Sequence, residues 1–296
     1  MNLLSVLRSG FCIAAMLITQ DTIAQMTTQF LEPNISITYD TTRFKPYKRD
    51  IFTFRVQGEQ TEIKLSPGLS EKAPSLDNKK TTNLSELEDY YKNTIDRLKK
   101  DPGSFSLSGN PVIEYERKPL KMGSFRGFSF VEEGKSDKKR YAQIFASHLS
   151  ANDYTSIHLR SFEQKPVDIQ YQILTEFLKG FKSYSAAELA THEADIRKKY
   201  TVVVSKAETV PASLQQRAKE YIALVRTKEP MQDKIKEVYI SVDGYAEVFS
   251  PNEKGEIYIA TKSNKKGMIE RTGRLIVISP IGKHISIPFS FQYEQQ

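Results

Sequence analysis

FRGFSFVEEGKSDKKRYAQIFASHLSANDYTSIHLRSF, residues 125–162, contains three runs of alternating apolar and polar side chains. The runs are residues 125–132, 140–148 and 154–162, separated by the turns GKSD at 134–137 and SAND at 150–153. An alternation with a period of two predicts half-buried strands, and short polar turns between such strands predict antiparallel hairpins. This stretch therefore predicts the centre of an antiparallel sheet.

The residues before this stretch predict further strands and one loop. Alternating runs indicate strands at residues 35–39, 51–56, 62–65 and 111–116. Residues 66–83 contain Pro67, Gly68 and Pro74, which are typical of a loop.

Two amphipathic helices are predicted, at residues 84–100 and 166–182. Asn83 suits the N-terminal cap of the first helix, and Glu86 completes a capping box. Each helix has an apolar stripe that must be buried, and we expect a sheet to bury it. The predicted fold class is therefore α+β, with an antiparallel sheet and packed helices over residues 25–184.

The remaining chain predicts a connector and a second domain. Residues 185–199 begin with a capping box, Ser185 with Glu188, and carry few apolar side chains, which predicts a charged helical connector. Residues 200–296 predict a mainly β domain with one helix at 211–227. Its strands are predicted at residues 201–204, 236–242, 245–249, 256–262, 273–279 and 284–293.

The N-terminus predicts export from the cell. Arg8 precedes a short apolar run at 11–18, and small residues end at Ala24, which is typical of a signal peptide over 1–24 cleaved before Gln25. The alternative is a short buried helix. Cys12 lies inside the apolar run and would be lost with it, which leaves a mature chain without cysteine. We expect a periplasmic or secreted protein.

The charge of the chain limits its partners only loosely. The formal net charge is +7, which is compatible with anionic lipid or glycan. No long basic run interleaves with aromatic residues, so we expect no nucleic-acid partner. The apolar run near the N-terminus is too short to cross a membrane, so no transmembrane span is predicted.

Three features give residues 35–184 a family resemblance. They are the opening strand with the turn at 40–44, the helix containing LEDYY at 87–91, and the strand YTSIHL at 154–159 that leads to the apolar helix at 173–181. This pattern resembles the PsbP/Mog1/DcrB-like family. The resemblance implies a sheet with packed helices and a binding or accessory role without catalysis. The chain lacks the tryptophan often found after the first strand, and no binding residues carry over.

The search for catalytic chemistry predicts no catalytic, cofactor-binding or metal-binding residue. A nucleophile elbow and a zinc-protease motif are both missing from the sequence. The hairpin turn predicts that Phe145 lies opposite His158, so His148 and His158 face opposite sides of the sheet as half-exposed polar residues. Glu132 and Glu133 precede a turn, and we interpret both as solvated.

Two groups of residues are candidate contacts with a partner. The C-terminal run ISIPFSF predicts an edge strand for strand addition, with the side chains Ile285, Ile287, Phe289 and Phe291. Basic residues near predicted turns are candidate contacts with an anionic ligand: Lys138, Lys139, Arg140, Lys262, Lys265 and Lys266. The alternative interpretations are a plain core strand and solvated turns.

These patterns predict an exported bacterial envelope protein with a non-enzymatic binding or accessory role toward envelope proteins. Two alternatives remain open at this point. One is a carrier of a small molecule or lipid, which predicts a closed apolar cavity. The other is a hydrolase acting on envelope glycan, which predicts a pocket with carboxyl groups of raised pKa.

Overall fold

The structure is a computed structural model that describes residues 25–48, 50–69, 75–76, 79–101, 110–115, 120–150, 153–227, 235–242, 245–252, 254 and 256–295. It combines α-helices with antiparallel sheets, which confirms the coarse fold prediction. The predicted signal peptide at 1–24, including Cys12, lies outside the described residues.

The N-terminal unit, from β1 to β13, contains two main sheets. Its helices are α1 (Leu84–Lys100) and α2 (Val167–Leu178). Its strands are β1 (Met26–Leu31), β2 (Ile35–Asp40), β3 (Phe44–Pro46), β4 (Thr53–Val56), β5 (Thr61–Leu69), β6 (Ser75–Leu76), β7 (Lys79–Lys80), β8 (Val112–Tyr115), β9 (Leu120–Met122), β10 (Phe125–Glu133), β11 (Arg140–Leu149), β12 (Asp153–Ser161) and β13 (Phe181–Ser183).

The eight-stranded sheet of this unit has the order β3-β4-β5-β12-β11-β10-β8, with β9 also paired to β10. A three-stranded sheet has the order β1-β2-β13, and β6 pairs with β7. All described pairings are antiparallel. Phe145 lies opposite His158, so the predicted register is confirmed.

The two faces of the eight-stranded sheet carry separate cores. On one face, α2 and the three-stranded sheet cover the apolar side chains; the Phe177 ring lies 5.0 Å from the Phe44 ring and 4.9 Å from the Phe54 ring. On the other face, α1 packs over β10 and β11, where Tyr91 contacts Phe128. The alternation of side chains along each strand supplies both cores.

The C-terminal unit, from β14 to β20, is a two-sheet sandwich. It follows α3 (Ala186–Lys199) and contains a short 3₁₀ helix at Ala212–Arg217. One sheet has the order β14-β15-β18 and the other β17-β16-β19-β20, with a common core between them. The strands are β14 (Val202–Lys206), β15 (Tyr221–Thr227), β16 (Ile235–Val242), β17 (Tyr245–Phe249), β18 (Ile257–Thr261), β19 (Gly267–Ile278) and β20 (His284–Gln295).

The predicted helix at 211–227 is wrong. Its place is taken by the 3₁₀ helix and by β15, which pairs with β14 on one side and β18 on the other. Four consecutive residues of β15, from 222 to 225, are buried. The sequence of a strand with both faces buried is a continuous apolar run. Such a run fits the period of a helix as well as that of a strand.

Two predicted boundaries are also wrong. The helix predicted over 166–182 ends at Leu178, because Gly180 turns the chain and Phe181 enters β13 beside β2. The loop predicted from residue 66 begins later, because β5 continues through Pro67 to Leu69 alongside β12. In both places a partner strand decides the local conformation.

The helix predicted as a charged connector is present as α3, and its Ser185–Glu188 capping box is confirmed. It is not solvated on every side. Leu189 packs with Phe30 and Tyr184 of the N-terminal unit, whereas Ile196 belongs to the C-terminal core. α3 therefore contacts both units with two buried side chains.

We expect Gly180→Ala to lower the free energy of unfolding by about 3 kcal/mol, the upper end for overpacking. A methyl group at this position would overlap the backbone carbonyl oxygen of Thr38. Chemical denaturation measures the loss. Gly58→Ala is the matched control: its φ is 73° and its surroundings are open, so only the left-handed backbone costs about 1 kcal/mol. Equal losses in the two variants would contradict the steric argument.

Candidate ligand groove between the two units

A cavity of about 670 Å³ lies where the two units meet. One wall is the outer face of the three-stranded sheet, and a second is the turn at Pro280 and Ile281 of the C-terminal unit. The end of α2 and the start of β13 complete it, with Lys179, Gly180 and Phe181 among the lining residues. We call this cavity the inter-unit groove.

The alternation along β2 produces the floor of the groove. Ile35 and Ile37 point into the core and are fully buried, so Ser36 and Thr38 face outward. The Thr38 hydroxyl lies 2.9 Å from the Thr28 hydroxyl, and the Ser36 hydroxyl lies 3.0 Å from that of Tyr184. These hydroxyl groups are hydrogen-bonded within the floor, which is therefore an ordered surface.

A close backbone approach brings the C-terminal unit to the groove. Gly282, with a φ of 80°, lies so near the backbone of Thr28 and Phe30 that any side chain there would overlap it. Lys283 lies 5.5 Å from the Phe30 ring centroid, and its ammonium group is 3.4 Å from the carboxylate of Glu193. These contacts fix the position of Ile281 beside Phe30.

The rim of the groove carries charges of both signs. Asp40 accepts hydrogen bonds from the side-chain hydroxyl and the backbone N–H of Thr42, and these bonds lower its pKa. Glu176 lies 3.7 Å from Arg43. Lys182 lies 4.9 Å from the Tyr184 ring centroid. Lys179 also borders the opening and is exposed. The rim therefore combines two carboxylates that are bonded to protein groups with two lysine side chains.

The predicted edge strand lies elsewhere and is mostly core. β20 is the last strand of its sheet, but Ile285, Ile287 and Phe291 are buried and Phe289 is partly buried in the C-terminal core. The guanidinium group of Arg197 donates to the carbonyl of Ser286 on this strand. Strand addition uses main-chain groups, and one carbonyl of this strand is already bonded to Arg197. A partner role of this strand stays a prediction.

The predicted basic contacts lie outside the inter-unit groove. Three of them are exposed at the hairpin between β10 and β11, where the Lys138 ammonium group is 3.6 Å from Glu133. The other three are exposed in the turn between β18 and β19. The structure therefore separates the two sets onto different units: Lys138, Lys139 and Arg140; Lys262, Lys265 and Lys266.

Two predictions about polar residues on the sheet need correction. His148 is buried, not half-exposed, with Nδ1 2.7 Å from the Ser124 hydroxyl and Nε2 3.2 Å from the Ser183 hydroxyl. Glu132 is also buried, although it precedes a turn. Segments that are distant in the sequence bury both side chains, and the alternating pattern of a single strand does not reveal such contacts. His148 and His158 do face opposite sides, as predicted.

The described residues hold no group of three His, Cys, Asp or Glu side chains placed to bind a metal ion. Among the described helices, none has the length and apolar character needed to cross a membrane.

Sequence reasoning did not single out the groove residues. The signal available was the alternation in β2, which places Ser36 and Thr38 on the face opposite its apolar residues. β1 was not predicted at all, and the turn at Pro280 and Ile281 is distant in sequence. The groove requires all three segments to meet, so only the fold reveals it.

No known protein family matches the chain. No curated protein sequence matches it either. Among solved structures, it is similar to the solution structure of cyanobacterial PsbP (CyanoP) from Synechocystis sp. PCC 6803, with 11% sequence identity and a TM-score of 0.31. The similarity covers 55% of this chain and 94% of that one. A TM-score this low carries no argument, so the family resemblance stays a prediction.

We expect the free energy of unfolding to fall as the pH is lowered from 6.5 toward 4, in part through His148. Burial lowers the pKa of His148 to about 4, below the unfolded value of about 6.5. Between these values the unfolded chain binds more protons, so the stability present above pH 6.5 is progressively lost. The upper limit for this group is about 3 kcal/mol.

The measurement is chemical denaturation at several pH values for the wild type and for His148→Gln. Glutamine can hydrogen-bond but does not titrate, so its pH dependence should be shallower. Carboxyl groups contribute equally to both proteins and cancel in the comparison. Parallel curves for the two proteins would contradict the assignment.

Proposed function

We propose that this chain is an exported, non-enzymatic binding protein of the bacterial envelope with an accessory role toward protein partners. In this proposal the inter-unit groove holds a segment of the partner. The observation that carries the proposal is the composition of the groove: aromatic and aliphatic side chains and paired hydroxyls line it, and charged side chains form its rim. Apolar side chains and hydrogen-bonded polar groups inside a charged rim are the composition of many protein–protein interfaces.

The groove favours a protein segment over a lipid. A lipid carrier must enclose its apolar ligand, because every exposed methylene costs about 0.8 kcal/mol. The inter-unit groove is bordered by exposed Lys179 and Lys182 and opens to solvent. A peptide leaves its polar backbone toward this opening while its side chains contact Phe181 and Ile281. The lysine side chains suit a partner segment with acidic residues.

The described carboxyl groups also favour binding over glycan hydrolysis. A hydrolase requires a general acid whose pKa is raised toward neutrality. Each described carboxyl group with a displaced pKa has it lowered, in each case through hydrogen bonds: Asp40, Glu88, Asp137, Glu163, Glu188, Glu193 and Glu256. Such groups are held in the ionised form, which suits ion pairs and helix caps.

The export part of the proposal rests on the sequence of residues 1–24. A charged residue, an apolar run and small residues occur in the order of a signal peptide. N-terminal sequencing of the mature protein tests this part by itself, since a start at Gln25 is expected.

Site-specific photo-cross-linking in cells tests the binding role. A photoreactive amino acid replaces Met26, which lines the groove and is 58% exposed, or Met268, which lies outside it and is 66% exposed. We expect one reproducible protein adduct from position 26 and none from position 268, because only the former contacts the bound segment. Mass spectrometry identifies the partner.

The charge reversal Lys182→Glu provides the second comparison. We expect it to reduce the adduct at position 26, whereas Lys219→Glu, at an exposed lysine away from the groove, leaves the yield unchanged. Equal labelling from positions 26 and 268, or an adduct that ignores Lys182→Glu, would rule out the groove as the docking site.

A further inference from the structure

A second concave surface lies on the α1 face of the eight-stranded sheet, the opposite face from α2 and the inter-unit groove. On this face α1 packs over β10 and β11, where Tyr91 contacts Phe145. The strands β12, β5 and β4 follow β11 in the sheet and form the part of this face beside α1. Side chains of these strands and of the residues next to β3 surround a cavity of about 410 Å³. We call it the Arg160 cleft. The lining residues that matter are Tyr47, Asp50, Glu62, Lys64, His158 and Arg160.

Both carboxylates of the cleft are engaged with protein groups. Asp50 accepts from the backbone N–H of Phe52 at 3.0 Å and from the Thr53 hydroxyl at 2.7 Å. Glu62 accepts from the Tyr47 hydroxyl and lies 3.8 Å from Arg55. Each carboxylate still has lone pairs beyond these bonds, because a carboxylate offers about four acceptor positions.

The two cations of the cleft are not engaged in this way. Arg160 lies opposite Glu62 across β12 and β5, yet Glu62 turns toward Tyr47. Lys64 lies opposite His158. Among the described residues, neither Arg160 nor Lys64 forms an ion pair with a carboxylate. The Arg160 guanidinium group instead lies 4.5 Å from the ring centroid of Phe162.

His158 lies opposite Lys64 and two residues before Arg160, and it supplies a hydrogen-bond acceptor to the cleft. Burial, followed by the charges of Arg160 and Lys64, lowers its pKa to about 4, so the ring is neutral at pH 7. Nε2 lies 2.6 Å from Oε1 of Gln143 and donates to it. Nδ1 is therefore the unprotonated nitrogen, which accepts hydrogen bonds.

We propose that the Arg160 cleft binds an acidic sugar, with the sugar carboxylate between Lys64 and Arg160. The hydroxyl groups of the sugar donate to Nδ1 of His158 and to the remaining lone pairs of Asp50 and Glu62. A simple anion such as phosphate satisfies the cations but is repelled by the two carboxylates. A ligand that carries hydroxyl groups beside its negative charge binds both the cations and the carboxylates of the cleft.

The shape of the surface favours a chain of sugars over a single one. A second cavity, of about 200 Å³, shares Arg160 with the cleft and continues past Phe162 to Tyr141. Phe162 is 40% exposed, so its ring presents an apolar face to a ligand. Lys135 borders the far end together with the carboxyl groups of Glu132 and Asp137, of which Asp137 accepts from the Tyr141 hydroxyl. Arg160 is thus central to an elongated trough with aromatic rings along it.

Isothermal titration calorimetry of the purified chain tests this proposal. The ligands are trisaccharides of galacturonate and of glucuronate, a neutral galactose trisaccharide as the matched control, and inorganic phosphate. We expect at least one acidic trisaccharide to bind, and both neutral sugar and phosphate to bind at least roughly tenfold more weakly. Arg160→Gln and Lys64→Gln should each weaken binding roughly tenfold or more, since each removes a charged contact.

Lys219→Gln is the control variant, because Lys219 is exposed on the C-terminal unit and its replacement should leave the affinity unchanged. Circular dichroism checks that each variant is folded, and Lys64 is exposed, so its replacement keeps the test valid if Arg160→Gln does not fold. NMR titration of His158 provides an independent readout: the bound carboxylate should raise its pKa. No binding of either acidic trisaccharide, phosphate binding of equal strength, or variants without effect would overturn the proposal.

Discussion

The three-stranded sheet depends on one close backbone approach, the hydrogen bond of 2.9 Å from the Thr38 N–H to the Gly180 carbonyl. Only glycine permits this approach, because a Cβ atom would overlap Thr38. The approach ends α2 and starts β13, which in turn places Tyr184 against Ser36 and leads into α3. The floor of the inter-unit groove and the covalent connection to the second unit therefore both follow from it.

The eight-stranded sheet carries core side chains on its α2 face and the side chains of the Arg160 cleft on its α1 face. Ile63, Leu65, Ile157 and Leu159 are fully buried on the α2 face. Their neighbours on the same strands, Lys64 and His158, face the Arg160 cleft. Because side chains alternate along a strand, substitutions in the cleft leave the core residues in place. On this face α1 packs over β10 and β11 and reaches Tyr154 of β12, whereas Glu62 and Lys64 of β5 line the cleft.

The described elements differ in how far their sequence predicts them. The register of β11 against β12 was predictable, because a short turn fixes which residues face each other across a hairpin. α1 begins and ends at the predicted residues, since its cap at Asn83 and its apolar stripe are both local signals. β15 was not predictable from the spacing of its apolar residues, because a strand buried on both faces has no alternation of apolar and polar side chains. Burial of His148 depends on Ser183, which is 35 residues away in sequence.

The sequence by itself determined the mixed α and antiparallel β class, most strand positions, the two amphipathic helices and the capping box at Ser185. These follow from interactions between residues close in the chain, and those interactions exist before the fold forms. Only the tertiary structure decided where α2 ends, which strands are central, and which polar side chains share a cavity. Each of these depends on contacts between distant segments, such as Thr28 with Gly282 or Lys64 with His158, and no local pattern encodes such contacts.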